Sequence, residues 1–171
     1  MVASPSVENL YIGKGTITFQ ATGETTPRAL GEVLELEITP TIEKLDHFTR
    51  TTGVRTKDKS IVIEKALTLR LVMEEFTAEN VSLLLLGTTT TNTAGDGVVE
   101  IFDQNTVEGV LRYTGTNEVG PQLDVELLNV SFSPSGSLNL LGDEWGQMEL
   151  SGECLVDGTG SFGTVTVRDQ A

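Results

Sequence analysis

Two stretches of the chain alternate in a way that paired strands satisfy. Leu34, Leu36 and Ile38 are interleaved with Glu35, Glu37 and Thr39. Further on, Leu67, Leu69, Leu71 and Met73 are interleaved with Thr68, Arg70, Val72 and Glu74. A period of two sends one set to a covered face and the other to water. Gly31 to Ile42 and Ile61 to Phe76 are therefore expected to pair as a hairpin. Pro40 has no N–H to give to a ladder, so its strand is expected at an edge or a bulge. Between the two runs lies Glu43 to Ser60, EKLDHFTRTTGVRTKDKS. Hairpin connections are usually two to about five residues long, so this segment is expected as an oversized polar loop, about residues 43–60, with a task away from its own core.

The remaining pattern repeats the strand signal. Ile17 and Phe19 alternate with Thr16 and Thr18, giving a first strand over Asn9 to Gln20. Thr77 is an N-cap candidate for a short helix, about residues 78–86, with Val81, Leu84 and Leu85 on one face. Gly87 is placed to be its left-handed C′ residue. Thr88 to Gly97 reads as a loop. Strands are then expected at Val98 to Asp103, Val107 to Thr114, Leu123 to Ser133, Ser137 to Leu141, Trp145 to Val156 and Phe162 to Arg168. Short strands at this spacing make the chain mainly β, sandwich-like or barrel-forming, with one peripheral helix. A length of 171 residues and the lack of a dividing linker give a single domain over 1–171.

The net charge of −14 is unevenly placed. Met1 to Arg70 holds nine basic and nine acidic residues; Leu71 to Ala171 holds two basic residues, Arg112 and Arg168, against sixteen acids. Six of the eleven cations fall between Lys44 and Lys65. An acidic body disfavours nucleic-acid binding over its whole surface. A cationic segment on such a body suits self-association, the segment of one copy meeting the acidic face of the next. No apolar run approaches a membrane span, so no membrane partner is expected. MVASPSVENL lacks the basic and apolar regions of a signal peptide. The single cysteine, Cys154, excludes an internal disulfide and suits a reducing compartment.

No residue set points to catalysis, a metal or a cofactor. Asp46 and His47 are neighbours in an extended segment and point to opposite sides, so neither orients the other. Cys154 is in phase with Met148 and Leu150, as a core thiol would be. The pairs Glu74-Glu75 and Asp143-Glu144 are adjacent, whereas glycosidase carboxylates face each other across a cleft. Asp96-Gly97 and Asp157-Gly158 are turn signals without the ligand series of a calcium loop. Gly13-Lys14-Gly15 lacks phosphate-loop spacing. Trp145 reads as a packing anchor or a subunit contact.

The order GKGTITF, then EKLDHFTRTTGVRTKD, then FTAENVSLLLLG resembles the major tail tube protein of long, non-contractile-tailed bacteriophages. The matching pieces are Gly13 to Phe19, Ile42 to Val54, Lys57-Asp58 and Thr77 to Gly87, within the first half of the chain. Glu43-Lys44-Leu45-Asp46-His47 and Ala78-Glu79-Asn80 are the most specific of them. The resemblance implies a structural protein of the virion tail, assembled in the host cytoplasm, and not an enzyme. It implies hexameric rings stacked head to tail, with the long hairpin loop reaching the adjacent ring and sheets that line a channel. Tape-measure and tail terminator proteins are implied partners, and DNA passes through the lumen without specific binding. Lys44, Asp46, His47, Arg50, Arg55, Lys57 and Lys59 are then the expected loop contacts. Glu35, Glu37, Asp124, Glu126, Glu149 and Glu153 are candidate lumen acids, a negative wall along which phosphates slide. The alternative is a monomeric β-sandwich module for a glycan or small ligand; it predicts an aromatic-lined groove, and aromatics are only 5% and scattered. A third possibility, an acidic hydrolase, is supported by no selected acid pair.

Overall fold

The structure, a computed structural model, describes residues 7–51 and 53–169; of the expected 1–171 domain and 43–60 loop, positions 1–6, 52 and 170–171 lie outside the described residues. The strands are β1 (Gly15–Ala21), β2 (Arg28–Ala29), β3 (Val33–Thr49) and β4 (Thr56–Met73). After the helix α1 (Ala78–Leu85) come β5 (Thr88–Thr91), β6 (Gly97–Glu100), β7 (Val107–Gly115), β8 (Gln122–Pro134), β9 (Met148–Cys154) and β10 (Gly163–Arg168).

Over the described residues the architecture is mainly β and sandwich-like, with one short α-helix and no closed barrel. One large antiparallel sheet runs β2-β1-β7-β8-β9-β4-β3, and β10 pairs with β8 beside the position of β9. β8 changes partner along its length: Gln122 to Leu127 face β10, and Val130 to Pro134 face β9. A register shift opposite Gly109–Leu111 marks the switch, where the Leu155 N–H donates to the Asn129 carbonyl and the Leu128 N–H to the Phe162 carbonyl. The bulge keeps Leu127 and Val130 on the same covered face although they are three residues apart.

The covered face carries Ile17, Phe19, Leu69, Leu71, Met73, Leu111, Phe132, Met148, Leu150 and Cys154, with Leu83, Leu84 and Leu86 of the helix segment laid across it. Phe19 and Phe132 meet edge to face, centroids 5.1 Å apart. Cys154 is buried as expected, and desolvation pushes its thiol up to about 11.

Several expected boundaries move. β1 begins at Gly15 rather than at Asn9, which instead ends a 3-10 turn over Val7–Asn9. Thr88–Thr91, read as loop, pairs with β6. Ser137 to Leu141, read as strand, is irregular: Leu138 packs on the core but Leu140 and Leu141 face water. The helix starts as expected, with the Thr77 hydroxyl accepting the Asn80 N–H at 3.1 Å. Its left-handed terminal residue is Leu86 (φ 46°), not Gly87. Gly87 is needed for another reason: a Cβ there would lie 2.1 Å from the Glu100 carbonyl oxygen of β6.

The largest correction concerns residues 43–60. They are not a loop. β3 and β4 stay paired from Val33↔Met73 to Thr49↔Thr56, so the segment is a two-stranded ribbon paired out to Thr49 and Thr56. β3 is the edge strand, which accommodates Pro40 opposite Leu67. Beyond the point where β9 covers Leu67–Met73, the ribbon leaves the body: residues 41–47 and 56–65 are all exposed.

Candidate assembly interface

The projecting ribbon is held by cross-strand chemistry rather than by a core. Lys57 Nζ donates to Asp46 Oδ2 at 2.8 Å, and Ser60 Oγ donates to Asp46 Oδ1 at 2.6 Å. These two bonds, that from Lys57 foremost, hold the Asp46 carboxyl below its ordinary range. His47 Nδ1 lies 2.6 Å from Asp58 Oδ1, on a different partner from Asp46, in keeping with the opposite orientation expected for these neighbours. The Arg55 guanidinium sits 4.3 Å over the Phe48 ring. Register shifts leave Ile63 and Asp58 as extra residues of β4, which twists the ribbon.

Of the expected contact residues, Asp46, His47, Arg55 and Lys57 are thus engaged within the ribbon. Lys44, Arg50 and Lys59 make no side-chain hydrogen bond or ion pair among the described residues and face solvent. Sequence reasoning missed the apolar side chains among them. Leu45 (58% exposed) pairs across the ladder with Ile61, and Ile42, Val62 and Ile63 are also exposed. An isolated hairpin is marginally stable in water, and this one carries solvated apolar side chains on both of its faces.

The six candidate acids all lie on the solvent side of the large sheet. Register links Glu37, Arg70 and Ser151 across β3, β4 and β9, and likewise Thr68, Glu153 and Ser131 across β4, β9 and β8. Asp124 and Glu126 continue the face opposite Thr114 and Arg112. The face is less negative than the sequence suggests, because arginines are interleaved with the acids. Arg70 donates from Nη1 to Glu35 at 2.6 Å and from Nε to Glu149 at 2.7 Å. Arg112 Nε reaches Glu126 at 2.7 Å and Arg168 Nε reaches Asp124 at 2.7 Å. The Arg70 bond holds Glu149 below the usual carboxylate range, and Glu149, then Glu35, keep Arg70 firmly protonated. Both cations that follow Leu71 are spent on this face. Glu37 and Glu153 make no ion pair among the described residues. Arg70 could have been found from its phase, opposite to the leucines of its own strand.

A third surface was not anticipated as a site. Residues 135–147, between β8 and β9, arch over the end of the sheet where β3 begins and β4 stops, beside an open groove of about 1860 Å³. Leu138 packs on the core, Gly146 lies against the Phe76 ring, and Gln147 donates to Glu74 at 3.3 Å. The anchored loop presents Leu141 (90% exposed) and Trp145 (89% exposed) to solvent, with Asp143 and Glu144 between them. Trp145 is therefore not a packing anchor within its own chain. Leu34, expected in phase with Leu36, is turned out into this groove by a bulge between Val33 and Glu35.

A family profile matches residues 10–98 and 94–165, nearly the whole chain. The chain belongs to that family, described as Protein of unknown function UCP028589. The first match spans β1 to β5 and the entire ribbon, so the ribbon lies within the region the family shares. The two matches overlap at 94–98, around the β5–β6 turn, where the Asn92 side chain accepts the Ala94 and Asp96 N–H groups. No curated protein matches the chain. Among the described residues, no group of three or more His, Cys, Asp or Glu is arranged to hold a metal, and no helix is long and apolar enough to cross a membrane.

Proposed function

We propose that this chain is the repeating structural subunit of a hollow phage tail tube. The observation that carries the reading is the β3–β4 ribbon, which leaves its own body with basic and apolar side chains exposed on the same few residues. A neighbour that covers Leu45, Ile61 and Ile63 while pairing with Lys44, Arg50 and Lys59 satisfies both features. Rings of six copies, implied by the resemblance, stack head to tail through this arm. Within a ring, open strand edges are available for continued pairing. Among the described residues β10 is paired only to β8 and exposes Val165 and Val167, and the outer edge of β3 is unpaired. Pairing such edges around a ring removes them, as closure does in a barrel.

In this reading the polar face of the sheet outside the 135–147 groove lines the lumen. There Arg112 and Arg168 are held by Glu126 and Asp124, so they do not grip passing phosphates, while Glu37 and Glu153 leave a net negative lining. DNA then passes without specific binding. Tape-measure and tail terminator proteins are the further partners, and the virion tail, assembled in the host cytoplasm, is the location. The alternative, a monomeric ligand- or glycan-binding module, draws on the groove beside Trp145. That groove is open and larger than the roughly 300–1,000 Å³ of a small-molecule site.

The test is to shorten the arm. Glu43 and Glu64 are directly opposed, so an Asn-Gly turn joining them closes the ladder without altering the body. This variant is expected to remain a folded monomer that forms no tubes. Normal tubes from it in electron micrographs contradict the proposal.

A further inference from the structure

We propose that the groove beneath the 135–147 loop is the seat for the β3–β4 arm of a second copy. The inference rests on the tube reading and names the surface that receives the arm. Three observations lead to it.

The first is position. The groove lies where Leu34 and Val72 sit, at one end of the β3–β4 ladder; the turn after Thr49↔Thr56 lies at the other. About fifteen residues of strand separate them, roughly 50 Å at about 3.3 Å per residue. Arm and groove belong to one continuous ladder, so an arm does not reach its own groove. Two different surfaces at opposite ends of one element make a heterologous contact, which propagates head to tail instead of closing a two-fold dimer.

The second is charge. Asp143, Glu144 and Glu74 border the groove, while Arg50 and Lys59 on the arm make no side-chain hydrogen bond or ion pair among the described residues. The third is apolar complementarity. The loop offers Leu140, Leu141 and Trp145 to solvent, and the arm offers Leu45 and Ile61. An exposed tryptophan beside acids, facing aliphatic and cationic side chains, is the composition of an interface centre.

The test uses the full chain in two charge-reversed forms. One carries Asp143→Lys and Glu144→Lys on the loop; the other carries Arg50→Glu and Lys59→Glu on the arm. All four positions are exposed, and none makes an ion pair among the described residues. Each variant alone places like charges in the contact and is expected to stay unassembled where the wild type forms tubes. An equimolar mixture restores one attractive contact of each kind and is expected to recover assembly, read by sedimentation and negative-stain microscopy. Wild-type-like tubes from either single variant overturn the assignment of the groove, as does a mixture that stays monomeric. In both cases the tube reading itself survives if the wild type assembles. A wild type that never assembles overturns both.

Discussion

Asn80 is the polar residue on which the helix entrance depends. It is 1% exposed, and its amide donates to the Leu30 carbonyl at 2.9 Å and the Glu75 carbonyl at 3.0 Å. Its Oδ1 accepts from Arg28 Nη1 at 2.7 Å, next to the Arg28 bond to the Glu79 carbonyl. Burial lowers the Arg28 pKa from its ordinary value, so that guanidinium depends on the acceptors around it. Asn80→Ala leaves two carbonyls and one donor without partners, at a cost of about 3 kcal/mol. A thermal melt should show Tm lower by roughly 6–12 °C for a chain of this size; an unchanged Tm contradicts this account. The helix start at Thr77 was legible because capping is a local matter. The burial of Asn80 was not, since its partners Leu30 and Arg28 lie some fifty residues away in the chain. Gly87 shows the same limit: its need for a missing Cβ comes from β6, not from the helix that precedes it.

At the scale of elements, the ribbon stands or falls by its cross-strand pairs. The bond from Lys57, then that from Ser60, depresses the Asp46 pKa in the folded state. A depressed carboxyl stabilises the fold at pH values above the unfolded pKa, about 3.9. That contribution fades as pH falls through the lower folded value. Carboxyl NMR titration should place the Asp46 midpoint below the ordinary range, and Lys57→Met should move it upward. A midpoint indifferent to that substitution contradicts the pairing. The hairpin was legible from leucine alternation, but the length of its strands was not. Lys, Asp and Thr between 43 and 60 carry no apolar period, and their pairing is set by partners on the facing strand. The opposite error occurred at Ser137 to Leu141, where apolar alternation survives but two of the leucines are held out at a loop surface. Likewise, the acids of the outer face were legible as a set, while their neutralisation by Arg70, Arg112 and Arg168 required the register.

For the whole molecule, the consequence is directionality. One end of the β3–β4 ladder carries a cationic, partly apolar arm, and the other carries an acidic, partly apolar groove. In the proposed reading such a particle adds copies along one axis, and rings of such particles build a tube. The charge split between the two halves of the sequence suggests attraction between copies but not a receiving surface, because the groove is formed by Leu34, Val72 and Trp145 from three separate segments. The most direct measurement is a cryo-electron microscopy map of the purified, assembled protein. The account predicts a hollow tube in which density for residues 43–64 of each subunit lies on the subunit of the next ring. A protein that remains monomeric at high concentration, or a tube in which those residues touch no neighbour, contradicts it.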